Sequence, residues 1–211
     1  MVPLLPPIAL TDEITAMAGA FATMVALWSG RGQVVDVNLL ESLFQCMGPL
    51  PAAFATTGYL QPRLGSGIPY SVPRGTWQCS DGKWIAVSTS AETVAARVMD
   101  LIGFGDRPDL HTFNGRIAAR EEVDARMRDF CSVRTQAEVL ELFEEAHAAA
   151  APIYDMADIA SDPHYAARGA IIEVDGVPMQ GLLARLSATP GRVRWPGRGL
   201  GADPAEWSPP P

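Results

Sequence analysis

Lysine is almost missing from this 211-residue chain: fifteen of its sixteen basic residues are arginine, and Lys83 is the exception. Acidic residues outnumber basic ones 24 to 16, a formal net charge of −8, so there is no basic excess to form the face that a nucleic acid requires. A phosphate-bearing ligand stays possible, because a few local arginines suffice for one. Cysteine is scarce too. Cys46, Cys79 and Cys131 are far apart and odd in number, which excludes a disulfide framework and a CxxC metal pair and points to a reducing cytoplasm. The opening Met1-Val-Pro-Leu-Leu-Pro-Pro7 lacks the basic region and small-residue cleavage site of a leader. The longest apolar run, Ile14 to Trp28, follows Asp12 and Glu13 directly and reads as too short to span a bilayer. No membrane association is expected. GxSxG, GxxxxGK[ST], HExxH and a strand-to-helix GxGxxG are all absent. His111, His147 and His164 lie singly and are expected to be surface or hydrogen-bonded structural residues, so no metal site is expected.

What is present is an ordinary globular composition, 48% apolar and 19% charged, with 19 glycines and 18 prolines that predict many turns. The length allows one large domain or two small ones. Thr11-Asp12 offers an N-cap and Glu13 a first-turn acid for a helix reaching Trp28. Of the fifteen residues from Ile14 to Trp28 only Thr15 and Thr23 are polar, and a helix apolar all round must be buried all round. Ser29-Gly-Arg-Gly32 ends it, and Gln33 to Val37 reads as a strand. Asn38-Leu-Leu-Glu41 is a capping box for a second helix stopping near Pro49 or Pro51.

Residues 58–75 form a long loop. Thr76–Cys79 and Trp84–Ser88 make a hairpin around Asp81-Gly82. Helices are expected from Ser90 to Ile102, from Ala118 to Phe130, and from a capping box at Thr135–Glu138 to Ala149. A short helix lies between Asp162-Pro163 and Gly169. A second hairpin, Ile171–Val174 and Val177–Gln180, turns at Asp175-Gly176, and Ser208 to Pro211 forms a frayed tail.

The order of several segments resembles the C-terminal half of class III CoA-transferases, the L-carnitine dehydratase and bile-acid-inducible protein F family, with formyl-CoA transferase and 2-methylacyl-CoA racemase among its members. The residues concerned are Ile8-Ala-Leu-Thr-Asp12 before a small-residue helix, Gly30-Arg-Gly-Gln-Val-Val-Asp-Val37 leading into Leu39-Leu-Glu-Ser-Leu43, and Arg63-Leu-Gly-Ser-Gly67. Pro73 and Gly75, Cys79-Ser-Asp-Gly82, Arg134-Thr135 and Ala151-Pro-Ile153 follow in order. Ser161-Asp-Pro-His164, Ala167-Arg-Gly169 and Arg185-Leu-Ser-Ala-Thr-Pro190 complete the match, which spans about residues 6 to 200. The chain departs from the family in a shorter loop after Trp28 and in Gly199-Leu-Gly-Ala-Asp-Pro204, where the family has an acidic C-terminal signature. The family's first half, a Rossmann-like region holding much of the CoA site, has no counterpart in this sequence.

The resemblance implies an α/β fold whose opening helices pack on the missing Rossmann-like half of an interlocked assembly. It divides the chain into large-domain helices at 1–69, a small α+β domain at 70–165 and a return segment with its tail at 166–211. Asp12 aligns with the family's nucleophilic aspartate, whose carboxylate attacks an acyl-CoA thioester; from the local residues alone it is as readily a plain N-cap. Gly65, Ser66 and Gly67 resemble the glycine-rich loop that closes over the family's active site, and equally make a turn. Arg63, Arg74 and Arg31 are candidates for phosphate or carboxylate, or solvated surface residues.

The implied reaction moves CoA from an acyl-CoA to a carboxylic acid, with CoA thioesters as substrates and no permanently bound cofactor. The implied partner is a second copy or a chain carrying the N-terminal half. A racemase in which Asp12 transfers protons, and a non-catalytic subunit or remnant, remain open alternatives.

Overall fold

The computed structural model describes residues 6–202, which divide into two compact units meeting in sequence at Ala151–Pro152. Helix α1 (Leu10–Ser29) opens the first unit. Its N-cap is Ala9, without a side-chain cap, so Thr11 and Asp12 lie inside the first turn and the expected Thr11-Asp12 cap does not form. Gly30 closes the helix in the left-handed region at φ 69°, as a residue without Cβ readily does, and its N–H reaches the Leu27 carbonyl.

At 20 residues α1 is longer than the apolar run suggested. By length and composition alone it meets the requirement for a bilayer span, which corrects the expectation that the segment is too short. None of its residues is buried; Phe21 is 74% and Trp28 94% exposed.

The expected strand at 33–37 is also corrected. The chain there has no regular structure, because no strand lies alongside to take up its backbone groups among the described residues. Asn38 then caps α2 (Leu39–Gln45), accepting from Glu41 N at 2.9 Å while its amide donates to Glu41 Oε2 at 2.7 Å. Helix α2 packs along α1 and stops before Pro49; a further helix, α3 (Leu50–Thr57), starts around Pro51 and ends on Gly58 at φ 71°.

The core of the first unit forms around the hairpin. Strands β1 (Arg74–Gln78) and β2 (Trp84–Ser88) pair antiparallel, Arg74 opposite Ser88 and Gln78 opposite Trp84. A short β3 (Ala150–Pro152) lies beside β2. Alternation turns Gly75, Trp77, Ile85 and Val87 inward.

Helix α4 (Glu92–Leu101) follows, with Ala91 rather than Ser90 at its cap. After a 3₁₀ turn (Pro108–His111) comes a helix the sequence did not suggest, α5 (Phe113–Ala118), and the helix expected at about 118–130 follows as α6 (Arg120–Ser132). Helix α7 (Gln136–Glu145) carries the complete capping box of Thr135 and Glu138. Val98, Met99, Leu110, Val123, Met127 and Phe143 fill the space against the hairpin. Burying each such side chain is worth about 1.5–3 kcal/mol.

Two of the matching segments prove to be one joint. Ser80 N donates to the Arg134 carbonyl at 2.8 Å, Gln136 N to Asp81 Oδ2 at 3.1 Å, and Gln136 Nε2 to the Trp84 carbonyl at 2.7 Å. The Arg134 guanidinium lies 4.1 Å from the Phe130 ring centre. The hairpin turn is thus held against the start of α7, where an acidic Asp81 suits the helix dipole.

In the second unit, α8 (Met156–Ser161) begins at an Asp155–Asp158 capping box and α9 (Pro163–Ala167) at Asp162. Strands β4 (Ile171–Val174) and β5 (Val177–Gln180) form the second hairpin, with Asp175 and Gly176 at φ 51° and 76° in its turn. The expected tail at 208–211 lies outside the described residues.

Candidate functional site

The Gly65-Ser66-Gly67 loop is held against β1. Gly65 has φ 64°, Gly67 N bonds the Leu64 carbonyl at 3.1 Å, and Ser66 Oγ accepts from Thr76 N at 2.9 Å. A Cβ on Gly67 would stand 3.2 Å from the Arg74 carbonyl and one on Gly75 3.0 Å from Ser66 Oγ. Loop and strand therefore approach as closely as they do because both positions are glycine.

Two arginines from the helical layer secure the rest of the loop. Arg120 Nη2 donates to the Ile68 and Pro69 carbonyls at 2.8 and 3.1 Å. Arg116, 2% exposed, donates from Nε to the Val72 carbonyl at 2.8 Å and from Nη1 to the Leu110 carbonyl at 3.1 Å. Ser71 Oγ donates to the Thr89 carbonyl at 2.7 Å, and Thr89 Oγ1 to the Pro73 carbonyl at 2.8 Å.

This anchoring shapes an open cleft of about 690 Å³ between the loop, β1 and α6. Gly65, Ser66, Gly67 and Arg74 all line it, together with Trp77, Trp84, Asp124 and Arg128. Burial raises the Asp124 carboxyl above the usual carboxylate range, while Arg120 and Arg128 pull the other way. Asp124 Oδ1 is shielded from solvent and has no hydrogen-bond partner.

Cys79 also borders the cleft and contacts Cys131. Burial raises both thiols, Cys131 to about 12, so neither is a ready thiolate. Asp124 and Arg128 were not singled out in the sequence; with Arg120 they lie at four-residue spacing, a pattern common on solvated helix faces.

The other candidates lie elsewhere. Asp12 is exposed in the first turn of α1, its carboxylate makes no hydrogen bond or ion pair among the described residues, and it does not line the cleft. Arg31 borders a separate recess of about 390 Å³ with Thr23, Leu27 and Gln33. Arg63 is exposed and lines neither. His111 Nε2 stands 3.0 Å from Asp100 Oδ1. Among the described residues no group of three or more His, Cys, Asp or Glu side chains is placed to hold a metal ion.

A sequence profile described as CoA-transferase family III matches residues 1–204. The succinyl-CoA–L-malate CoA-transferase beta subunit of Chloroflexus aurantiacus is 34% identical over 91% of this chain and 51% of its own length. The succinyl-CoA–D-citramalate CoA-transferase of the same organism is 33% identical over 92% and 51%. In fold, the chain is similar to a CAIB/BAIF family protein from Brucella suis, with a TM-score of 0.73 and 22% identity over 90% of this chain and 52% of that one. A hypothetical protein from Mycobacterium tuberculosis gives a TM-score of 0.71 at 17% identity, over 90% and 52%. The chain spans about half the length of the curated relatives it matches. Its mixed helix–strand architecture is that of about half a CAIB/BAIF fold, in line with the C-terminal half of an α/β structure.

Proposed function

The chain belongs to CoA-transferase family III, and we propose that Asp12 is the nucleophile in a transfer of coenzyme A from an acyl-CoA to a carboxylic acid. The observation that carries this reading is the similarity of named CoA-transferases along nearly the whole chain; that Asp12 stands at the family's aspartate position is what the Ile8–Asp12 resemblance implies. Its carboxylate has no capping task, since Ala9 is the N-cap.

The Asp12 carboxylate attacks the thioester carbonyl, the C–S bond breaks, and CoA thiolate leaves a mixed anhydride. The thiolate attacks the aspartyl carbonyl, releases the first acid as its carboxylate, and forms an aspartyl-CoA thioester. An acceptor carboxylate then attacks that thioester and expels the thiolate. The thiolate attacks the acceptor side of the new anhydride, which frees Asp12 and yields the product thioester. The Gly65-Ser66-Gly67 loop and Arg74 contribute to substrate binding in this reading, and Arg31 and Arg63 serve CoA outside the cleft.

The names of the relatives support a dicarboxylic donor such as succinyl-CoA and a hydroxylated dicarboxylic acceptor. The rest of the CoA site belongs to the N-terminal half of the family fold, supplied by the same polypeptide or by a second chain, in an interlocked dimer or hetero-oligomer. The opening helices within 1–69 and the return segment that begins at 166 belong with that half, and 70–165 forms the small domain. The unpaired cysteines support a cytoplasmic setting.

Hydroxylamine tests the nucleophile. Treating the complete enzyme with acyl-CoA and then hydroxylamine is expected to convert Asp12 to a hydroxamate, seen by peptide mass spectrometry. An unmodified Asp12 peptide with racemisation of a 2-methylacyl-CoA would replace this reading with proton transfer.

A further inference from the structure

We infer that the cleft between the Gly65-Ser66-Gly67 loop and α6 is the subsite for the acceptor acid, with Arg74 and Arg128 taking its distal carboxylate and Asp124 its hydroxyl group. The inference rests on the CoA-transfer reading and extends it to the residues that choose the acceptor.

Three charged residues on two packed elements border this cleft. Arg74 opens β1, and Asp124 and Arg128 stand one turn apart on α6, which packs against that strand. All three line the one cleft. Among the described residues neither Arg74 nor Arg128 forms a hydrogen bond or an ion pair, although Arg128 lies near enough to Asp124 to act on its carboxyl, whereas Arg116 and Arg120 are spent on backbone carbonyls. Two uncommitted guanidiniums beside a hollow are suited to a carboxylate, which each can grip through two parallel N–H bonds.

Asp124 narrows the choice of ligand. A carboxylate in the wall repels a polyanion, so the cleft is a poor seat for the pyrophosphate of CoA. Arg74 and Arg128 beside one carboxylate, with Arg120 bonded only to neutral carbonyls nearby, leave a net positive charge that suits a carboxylate group. In a dicarboxylic acceptor only the distal carboxylate needs binding here, and the other stays free to react. The remaining demand is a donor for Asp124 Oδ1, since a carboxylate oxygen shut away from water without a partner is costly. The terminal torsion of aspartate is soft, so the group turns toward a ligand at little cost. A hydroxyl on the acceptor, adjacent to the carboxylate that the arginines hold, supplies that donor. Trp77 and Trp84 also border the cleft.

Calorimetric titration of the complete enzyme with L-malate and with succinate, which differ by the hydroxyl, tests this. L-Malate is expected to bind at least about tenfold more tightly, as lost pairing to a buried polar group is strongly discriminating. Asp124→Ala should erase the preference while leaving succinate affinity within about threefold. Asp124→Asn, nearly isosteric, should reduce the preference in a fold checked by its melting temperature. Arg74→Gln and Arg128→Gln should each weaken both acids about tenfold or more, the loss of a charged hydrogen bond. Equal binding of the two acids by the unaltered enzyme, a preference that survives both Asp124 variants, or arginine variants without effect would each overturn the inference. Hydroxylamine trapping with acyl-CoA alone needs no acceptor and so separates the two proposals. Trapping at Asp12 with no malate preference sinks only the subsite; a malate preference without trapping sinks only the nucleophile.

Discussion

A carboxylate that caps nothing and pairs with nothing contributes little to stability, and Asp12 is in that position on α1. Asp12→Ala should therefore lower CoA transfer by at least about a thousandfold, the scale lost when a covalent nucleophile goes. The melting temperature should move by less than about 1 °C, because surface changes away from special features stay within about 0.5 kcal/mol. An activity within tenfold of the parent would end Asp12's candidacy. Arg116 is the opposite case, with its guanidinium inside the structure and bonded to the Val72 and Leu110 carbonyls. Arg116→Ala strands both acceptors and should cost about 3 kcal/mol in denaturant unfolding. The two residues also differ in how far the sequence exposed them. Asp12 stood out through its neighbours Ile8 to Thr11, although its local reading as a cap was wrong because the helix already starts at Leu10 with Ala9 as its cap. Asp124 did not stand out, since charges at four-residue spacing describe a solvated helix face until a distant loop and strand are known to cover it.

At the scale of elements, what was legible was local. Both hairpins and the Asn38 and Thr135 capping boxes occur where their residue patterns place them, because each depends on neighbours within a few positions. The strand expected at 33–37 fails for a non-local reason, since a strand needs a partner and none lies alongside among the described residues, whereas the helix expected at about 118–130 forms as α6, with α5 added before it. Capping makes two checkable expectations. Thr135→Ala removes the acceptor for Glu138 N and should destabilise the first unit by about 1 kcal/mol. Asp162 caps α9, and the Tyr165 backbone N–H, with the Tyr154 hydroxyl and His164 N–H, holds its carboxyl below the usual range. A carboxyl lowered on folding stabilises fully above its unfolded-state value and loses that contribution as pH falls through its folded-state value. Acid titration should thus loosen α8 and α9 in the parent protein, as read by amide exchange. In Asp162→Asn that acid-dependent step should vanish.

For the whole molecule, the most consequential feature is the contrast between the two ends of the first unit. The hairpin, α4, α6 and α7 bury a contiguous core, whereas α1 is apolar on nearly every face and buries no residue. The sequence already required such a helix to be covered; what covers it was not legible, because the covering residues are not in this chain's described contacts. A surface carrying Phe21, Met24, Leu27 and Trp28, each more than half exposed, is large and apolar enough to drive association. The isolated 211-residue chain is therefore expected to scatter light as dimers or larger species at micromolar concentration. Phe21→Glu combined with Trp28→Glu should shift it toward monomer without unfolding the hairpin core, which contacts neither residue. Adding a chain that carries the N-terminal half of the family fold should suppress self-association of the parent but not be bound by the double variant. Because α1 is also long enough to cross a bilayer, vesicle flotation provides the control. Protein that stays at the bottom of the gradient is covered by protein, and protein that floats with neutral vesicles would show instead that α1 is taken up by lipid.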